Sequence, residues 1–379
     1  MTGLGSGTVC HDRSMLALRP VRTLAALTVL ALAGCTSNPT DESDAQPSAP
    51  SSSSSPSQTP VETATETPSE SATPEPDPPE PPDPISVAAL AQADLTGGNL
   101  RLGAVRERTA GYTSYDVTFA SATTGRGSPP LRISGVLNVP TGTGPFPAVV
   151  LAHGYIDPAI YVRGQGMTRE RGFLADRGFV ALHVDFRNHA ESTDDPRVET
   201  AVRLGYSADV IAAARALQDS DDVRVDPDRI ALFGRSMGGG VMLKALAAEP
   251  GLFAAGTGWA SVSSLEAENF ARFQRPDAPV AELRAGFRGR HGLPAEDPEF
   301  WRGLSSRPAF GDITEPVLMV HGRFDDTCPP PWARATQRAL TEAGVDSTLE
   351  WYDDGHAFGP AFVAAMDRTV RFLRARMPA

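Results

Sequence analysis

The chain is 379 residues long and carries 34 lysines and arginines against 46 aspartates and glutamates, a formal charge of −12. No cluster of bases offsets that excess, so no stripe exists to release counterions from phosphates, and a nucleic-acid partner is excluded. The length allows two average domains or one large α/β domain, and the composition along the chain favours the second.

Arg19 and Arg22 precede an apolar run, Leu24 to Ala33. It is too short to span a bilayer but has the length of a signal h-region. The run closes on Leu32-Ala33-Gly34-Cys35, which resembles the lipobox of bacterial lipoproteins. The resemblance implies cleavage before Cys35, lipidation of that cysteine, and a protein tethered to the outer face of the bacterial cell membrane. An ordinary secretory signal with an accidental cysteine is the alternative. Met15 is a more natural start than Met1, because it puts the arginines close behind the initiator.

Residues 36–84 contain no aromatic residue, no Leu and no Ile, and cannot bury a core. Ten acids and no base give this tract −10; with +2 in the first 35 residues, the formal −12 leaves −4 for residues 85–379. Pro-rich, self-repelling sequence stays extended, so the tract reads as a spacer. The expected organisation is a signal peptide over 1–34, a disordered spacer over 35–84 and one folded domain over 85–379. Of the three cysteines, Cys10 falls in the leader and Cys35 would be lipidated, which leaves Cys328 without a disulfide partner. The folded part must then be stabilised by core burial, which its length permits.

Within that part, Tyr115–Ala120 and Leu131–Val139 read as an antiparallel opening pair of strands. Phe146–Ala152 is a continuous apolar run, the mark of a strand covered on both faces. Strands and helices then alternate: helix Met167–Arg177, strand Val180–Asp185, helix Glu199–Gln218, strand Ile230–Phe233, a helix ending near Ala248, and strand Phe253–Ala260. After a long insert come strand Pro316–Val320, helix Trp332–Ala343, strand Ser347–Trp351 and helix Pro360–Met377. Such alternation implies βαβ crossovers and a parallel sheet. The insert, residues 262–310, is longer than one crossover requires. At that level of the sheet it would lie over the strand ends, as a lid or as a packing subdomain.

Gly234-Arg235-Ser236-Met237-Gly238 separates a buried strand from a helix. A G-x-S-x-G match alone is weak, but this is the setting of a nucleophile elbow, where a tight turn lifts the serine hydroxyl clear of the sheet. A serine hydroxyl needs a base to take its proton and a group to orient that base. His356, in the loop after Ser347–Trp351, fits the base; Asp325, in the loop after Pro316–Val320, fits the acid. The order Ser, Asp, His along the chain is the one this architecture uses. Asp353 and Asp354 are alternatives for the acid, but so close to the base they read as loop charges.

Residues from about 100 to 376 resemble the α/β-hydrolase fold, closest to the catalytic domain of the prolyl oligopeptidase family and its esterase-like relatives. The run from Phe300 to Pro329 is similar to that family's approach to its acid loop, and "DFRNHAES", 185–192, resembles the segment after its fourth strand. The resemblance implies a mostly parallel central sheet with helices on both faces and a small helical lid insert. It also implies Asp325 rather than Asp326 as the acid, structural roles for Asp185 and Arg187, and an apolar packing role for Cys328. The backbone N–H groups of Met237 and Tyr155 would form the oxyanion hole. His153 reads as a hydrogen-bonded loop residue, and His189, His291 and His321 as residues that structure loops.

His183 and Asp185 share a strand, but no third ligand stands at metal-site spacing and no H-E-x-x-H occurs, so neither metal nor cofactor is expected. Trp259, Phe324 and the aromatics of the insert suggest an apolar component to the substrate. The reading is a serine hydrolase that cleaves carboxylic esters through an acyl-enzyme, acting on a small-molecule ester or a short peptide. The alternatives are a serine peptidase of the prolyl oligopeptidase type and a non-catalytic, hydrolase-like binding lipoprotein.

Overall fold

A computed structural model describes residues 81–122, 129–273 and 291–378. The leader, Cys35 and nearly all of the spacer lie outside the described residues, as does the middle of the insert. Nine strands form one sheet in the order β1-β2-β3-β5-β4-β6-β7-β8-β9. They are β1 Gly97–Arg108, β2 Tyr112–Ser121, β3 Leu131–Pro140, β4 Phe146–Ala152, β5 Val180–Val184, β6 Val225–Arg235, β7 Ala255–Trp259, β8 Val317–Gly322 and β9 Ser347–Tyr352. The first three pair antiparallel and β3 joins β5 in the same sense; every pair from β5 across to β9 is parallel. This is the α/β-hydrolase architecture that the resemblance implies.

The helices are α1 Val87–Ala91, α2 Thr168–Ala175, α3 Gly205–Gln218, α4 Met237–Ala248, α5 Glu266–Phe273, α6 Pro298–Leu304, α7 Pro330–Glu342 and α8 Phe362–Arg376. Side chains of the central strands alternate between two cores, because a strand has a period of two. Ala148, Val150 and Ala152 of β4 join the core beneath α3 and α4, while Val149 and Leu151 join the one beneath α2 and α8. That double coverage explains the unbroken apolar run in the sequence.

Two expectations need correction. β1 is absent from the sequence reading, since Arg101, Arg106, Glu107 and Arg108 break any apolar pattern; it is an edge strand, where charge discourages further pairing. Helix α3 begins at Gly205 and not at Glu199, because Val202 and Arg203 adopt positive φ (47° and 58°), which no α-helix tolerates. In the insert, α6 packs Phe300, Trp301 and Leu304 against Ile85 and Val202. Helix α5 reaches the loop after β8, where Arg272 donates to the carbonyls of Thr327 (3.2 Å) and Asp326.

Candidate active site

Strand β6 ends at Arg235 and α4 starts at Met237, so a single residue makes the turn between them. That residue is Ser236, at φ 55° and ψ −118°, a left-handed conformation that costs an L-residue about 1–3 kcal/mol. So sharp a turn brings backbones together. A Cβ at Gly234 would overlap the Gly238 carbonyl, and one at Gly238 would overlap the carbonyl oxygen of Ala152. The Ser236 amide donates to the Trp259 carbonyl at 2.9 Å, and the Ser236 carbonyl accepts from the amides of Gly239 (2.9 Å) and Val262 (3.2 Å). The strained residue is therefore held on both sides.

The loops after β8 and β9 bring Asp325 and His356 to the same end of the sheet. His356 Nε2 lies 3.1 Å from Ser236 Oγ, and His356 Nδ1 lies 2.9 Å and 3.1 Å from the two carboxylate oxygens of Asp325. Asp325 is buried, and its Oδ1 also accepts from the amides of Thr327 (3.0 Å) and Cys328 (2.8 Å). A carboxylate only accepts, so it selects the imidazole tautomer with the proton on Nδ1. That leaves the Nε2 lone pair facing the serine hydroxyl. Asp354 instead accepts from the amides of Gly355 and Ala361, both at 2.8 Å, and Asp353 is exposed beside Arg323. Both carboxylates are thus engaged with partners other than the His356 ring.

The loop after β4 approaches the same serine. The Gly154 backbone packs so closely that a Cβ there would sit 3.1 Å from Ser236 Cβ. Tyr155 follows, 56% exposed, its ring 4.8 Å from the Arg203 guanidinium. Met237 is the first residue of α4, so its N–H has no acceptor within the helix. Beyond Tyr155 a cleft of about 580 Å³ opens between the loops after β4 and β5, with Asp157, Asn188, Asp194, Glu199 and Arg203 among its walls.

Behind that loop lies a buried polar cluster. His153 stacks on Tyr161 and His183, and its Nδ1 is 2.6 Å from the Gly154 carbonyl. Burial pushes its basicity down from the usual 6.5 to about 4, so it is neutral and donates through Nδ1 to that carbonyl. Tyr161 donates to Asp185 at 2.7 Å and approaches His183 Nε2 at 3.1 Å. Nothing in the sequence pattern marked Tyr161. Arg187 binds Asp209 through Nη2 (2.8 Å) and Asp195 through Nη1 (3.1 Å), all three within the core. His189 and His321 bond to loop carbonyls, those of Arg187 (3.0 Å) and Cys328 (2.9 Å) respectively.

The Cys328 thiol is fully buried, and burial together with the Asp325 carboxylate pushes it up to about 12, which leaves it inert as a nucleophile. Trp259 is a correction: it is wholly buried and donates through Nε1 to Thr369 Oγ1 at 3.1 Å, so it packs the core and meets no substrate. Phe324, beside Asp325, is 69% exposed. Among the described residues, no group of three or more His, Cys, Asp or Glu is arranged to hold a metal ion.

The model of the prolyl oligopeptidase family matches residues 166–376, a span that holds Ser236, Asp325 and His356. The chain belongs to the prolyl oligopeptidase family. Dipeptidyl peptidase 4 of Felis catus is 32% identical over 159 residues, which are 40% of this chain and 19% of that protein. The chain thus spans about a fifth of the length of the curated relatives it matches. Among solved structures, acetyl xylan esterase 1 from Thermoanaerobacterium sp. JW/SL YS485 has a TM-score of 0.57 at 19% identity, over 78% of this chain and 94% of that one. The acetyl xylan esterase from Paenibacillus sp. R4 scores 0.55 at 21% identity, over 76% and 92%. A dipeptidyl aminopeptidase IV from Bacteroides ovatus scores 0.50 at 15% identity, with 43% of its length covered. At these identities the structural likeness establishes the fold alone.

Proposed function

We propose that the protein cleaves carboxylic esters through an acyl-enzyme, with Ser236 as nucleophile, His356 as base and Asp325 as the acid that orients it. The observation that carries this reading is the position of His356, within hydrogen-bond reach of Ser236 on one ring nitrogen and of Asp325 on the other. In the first half-reaction Ser236 Oγ bonds to the ester carbonyl carbon while its proton passes to His356 Nε2. The carbonyl oxygen takes the negative charge, and the N–H groups of Met237 and Tyr155 would stabilise it, each donor contributing about a hundredfold or more in rate. The carbon–alkoxy bond then breaks, and the Nε2 proton goes to the departing alcohol. Water repeats the sequence on the acyl-enzyme and releases the acid.

The ester reading is supported by the acetyl xylan esterases among the proteins that share this fold. The second reading, a serine peptidase, is supported by the family and by the 32% identity to dipeptidyl peptidase 4. The cleft beside Tyr155 is lined by none of Ser236, Asp325 and His356, so it would take only a part of the substrate that extends past the Tyr155 N–H. The leader composition and Cys35 further support a lipid-anchored enzyme on the outer face of the membrane. Blocking lipoprotein signal peptidase in producing cells should then leave the unprocessed precursor.

The test of substrate class is hydrolysis of a p-nitrophenyl ester chain-length series beside a proline-linked anilide peptide, by the protein and its Ser236→Ala variant. Ester turnover that vanishes in the variant is the expected result, and the chain-length optimum sizes the pocket. Faster anilide turnover would make the peptidase reading primary. Turnover of neither would favour a binding protein.

A further inference from the structure

Arg235 stands immediately before Ser236, and its side chain is only 14% exposed. Its Nη2 donates to the backbone carbonyl of His356 at 3.2 Å, and its Nη1 lies 3.3 Å from Glu170 Oε1 on helix α2. Arg169, next to Glu170, donates through Nη1 to the Phe358 carbonyl (3.1 Å) and through Nη2 to the Ala357 carbonyl (3.0 Å). Its guanidinium also lies over the Phe362 ring, 4.1 Å from the centroid. Three consecutive carbonyls of the loop that carries His356 are thus held by two guanidiniums, one from the elbow and one from α2. The same stretch includes Phe358 at a φ of 52°, a conformation that persists only where the surroundings over-determine it.

We propose that Arg235, with Glu170 as its counter-ion, is a positioning residue that fixes His356 relative to Ser236. The proposal rests on the reading of those two residues as base and nucleophile. Arg235 and Ser236 are consecutive, so a bond from Arg235 to the His356 carbonyl ties base to nucleophile without passing through the Asp325 loop. Asp325 sets the tautomer and the tilt of the ring; Arg235 sets where the ring's backbone stands. Glu170 is buried and sits against a cation that would otherwise be left unpaired in the interior. Arg169 completes the clamp from the far side. A displacement of about 1 Å between reacting groups can cost on the order of a hundredfold in rate, so a device that removes this freedom bears on turnover. An ion pair that merely stabilised the fold would change the melting temperature and leave the kcat of folded enzyme alone.

The experiment measures kcat, KM and melting temperature for the full chain and for Arg235→Met, Arg235→Lys and Glu170→Gln, with a p-nitrophenyl ester as substrate. The rate of Ser236 phosphonylation by a fluorophosphonate is read in parallel. Arg235→Met should lower kcat about a hundredfold with KM within about threefold of the parent. Arg235→Lys keeps a cation and a donor and should recover to within about tenfold of the parent. Glu170→Gln should lose about tenfold in kcat, again at constant KM. Phosphonylation should slow in the same order. A folded Arg235→Met enzyme with kcat within threefold of the parent would overturn the proposal, and so would a rise in KM at unchanged kcat. If Arg235→Met does not fold, unchanged kcat in both Arg235→Lys and Glu170→Gln overturns it instead. A parent protein that neither turns over ester nor takes the label overturns the underlying reading, and this proposal with it.

Discussion

Replacing Asp325 by Asn changes one oxygen to an amide nitrogen, yet the structure says which one. The Asp325 Oδ1 position accepts two backbone amides, those of Thr327 at 3.0 Å and Cys328 at 2.8 Å. Only the carbonyl oxygen of an asparagine can satisfy those donors, so the NH2 group is forced into the Oδ2 position, 2.9 Å from His356 Nδ1. There it donates, and because the Oδ1 position, 3.1 Å from Nδ1, already spends its two lone pairs on backbone amides, Nδ1 becomes the acceptor. The ring proton moves to Nε2, the nitrogen that faces Ser236 Oγ, and no lone pair remains to take the serine proton. A triad locked in the wrong tautomer loses about four orders of magnitude in kcat, about 5.5 kcal/mol of transition-state stabilisation. Asp325→Ala removes the orienting group without imposing that tautomer, so it should be no slower than Asp325→Asn. The assay is kcat for a p-nitrophenyl ester, with near-UV circular dichroism to show that both variants are folded. An Asn variant within tenfold of the parent, or one faster than the Ala variant, would refute this account of Asp325.

Gly238→Ala would drive a methyl group into the Ala152 carbonyl, and the strain of about 1–3 kcal/mol should appear as a lower melting temperature together with loss of Ser236 labelling. His153 titrates near 4 in the folded state because burial disfavours its charge, against 6.5 when exposed. The unfolded chain therefore binds more protons between pH 6.5 and 4, and stability contributed by this group is fully present above that window and lost as pH falls through it. The loss amounts to about 3 kcal/mol for this group, with buried His183 acting in the same direction, so urea midpoints should fall over that range and less steeply in His153→Gln. Cys328, buried with its thiol pushed up to about 12, should resist iodoacetamide at pH 8 in the folded protein and react once urea is added. Mass spectrometry of the alkylated protein checks this directly.

The sequence was most legible where backbone demands and chemistry coincide. The glycines around Ser236 mark a turn where no Cβ fits, and the serine, aspartate and histidine each follow an apolar strand in a fixed order. Arg235 lay inside the same motif, but its role depends on a carbonyl 121 residues away, and no local pattern reports a contact of that range. Tyr161 was hidden for a similar reason: its meaning lies in two partners, His183 on β5 and Asp185 just beyond its end. Strand β1 was missed because an edge strand with charged side chains has no buried face to impose an alternation. The start of α3 was misplaced because positive φ at Val202 and Arg203 leaves no mark in composition.

The most direct test of the central claim is intact-mass and peptide analysis of the protein after treatment with a fluorophosphonate. Attack by an activated serine forms one phosphorus–oxygen bond and expels fluoride, which leaves a stable adduct. The account predicts a single adduct on the peptide containing Ser236, formed about a thousandfold or more slowly in His356→Ala. An adduct on another residue, or labelling unaffected by loss of His356, would contradict it.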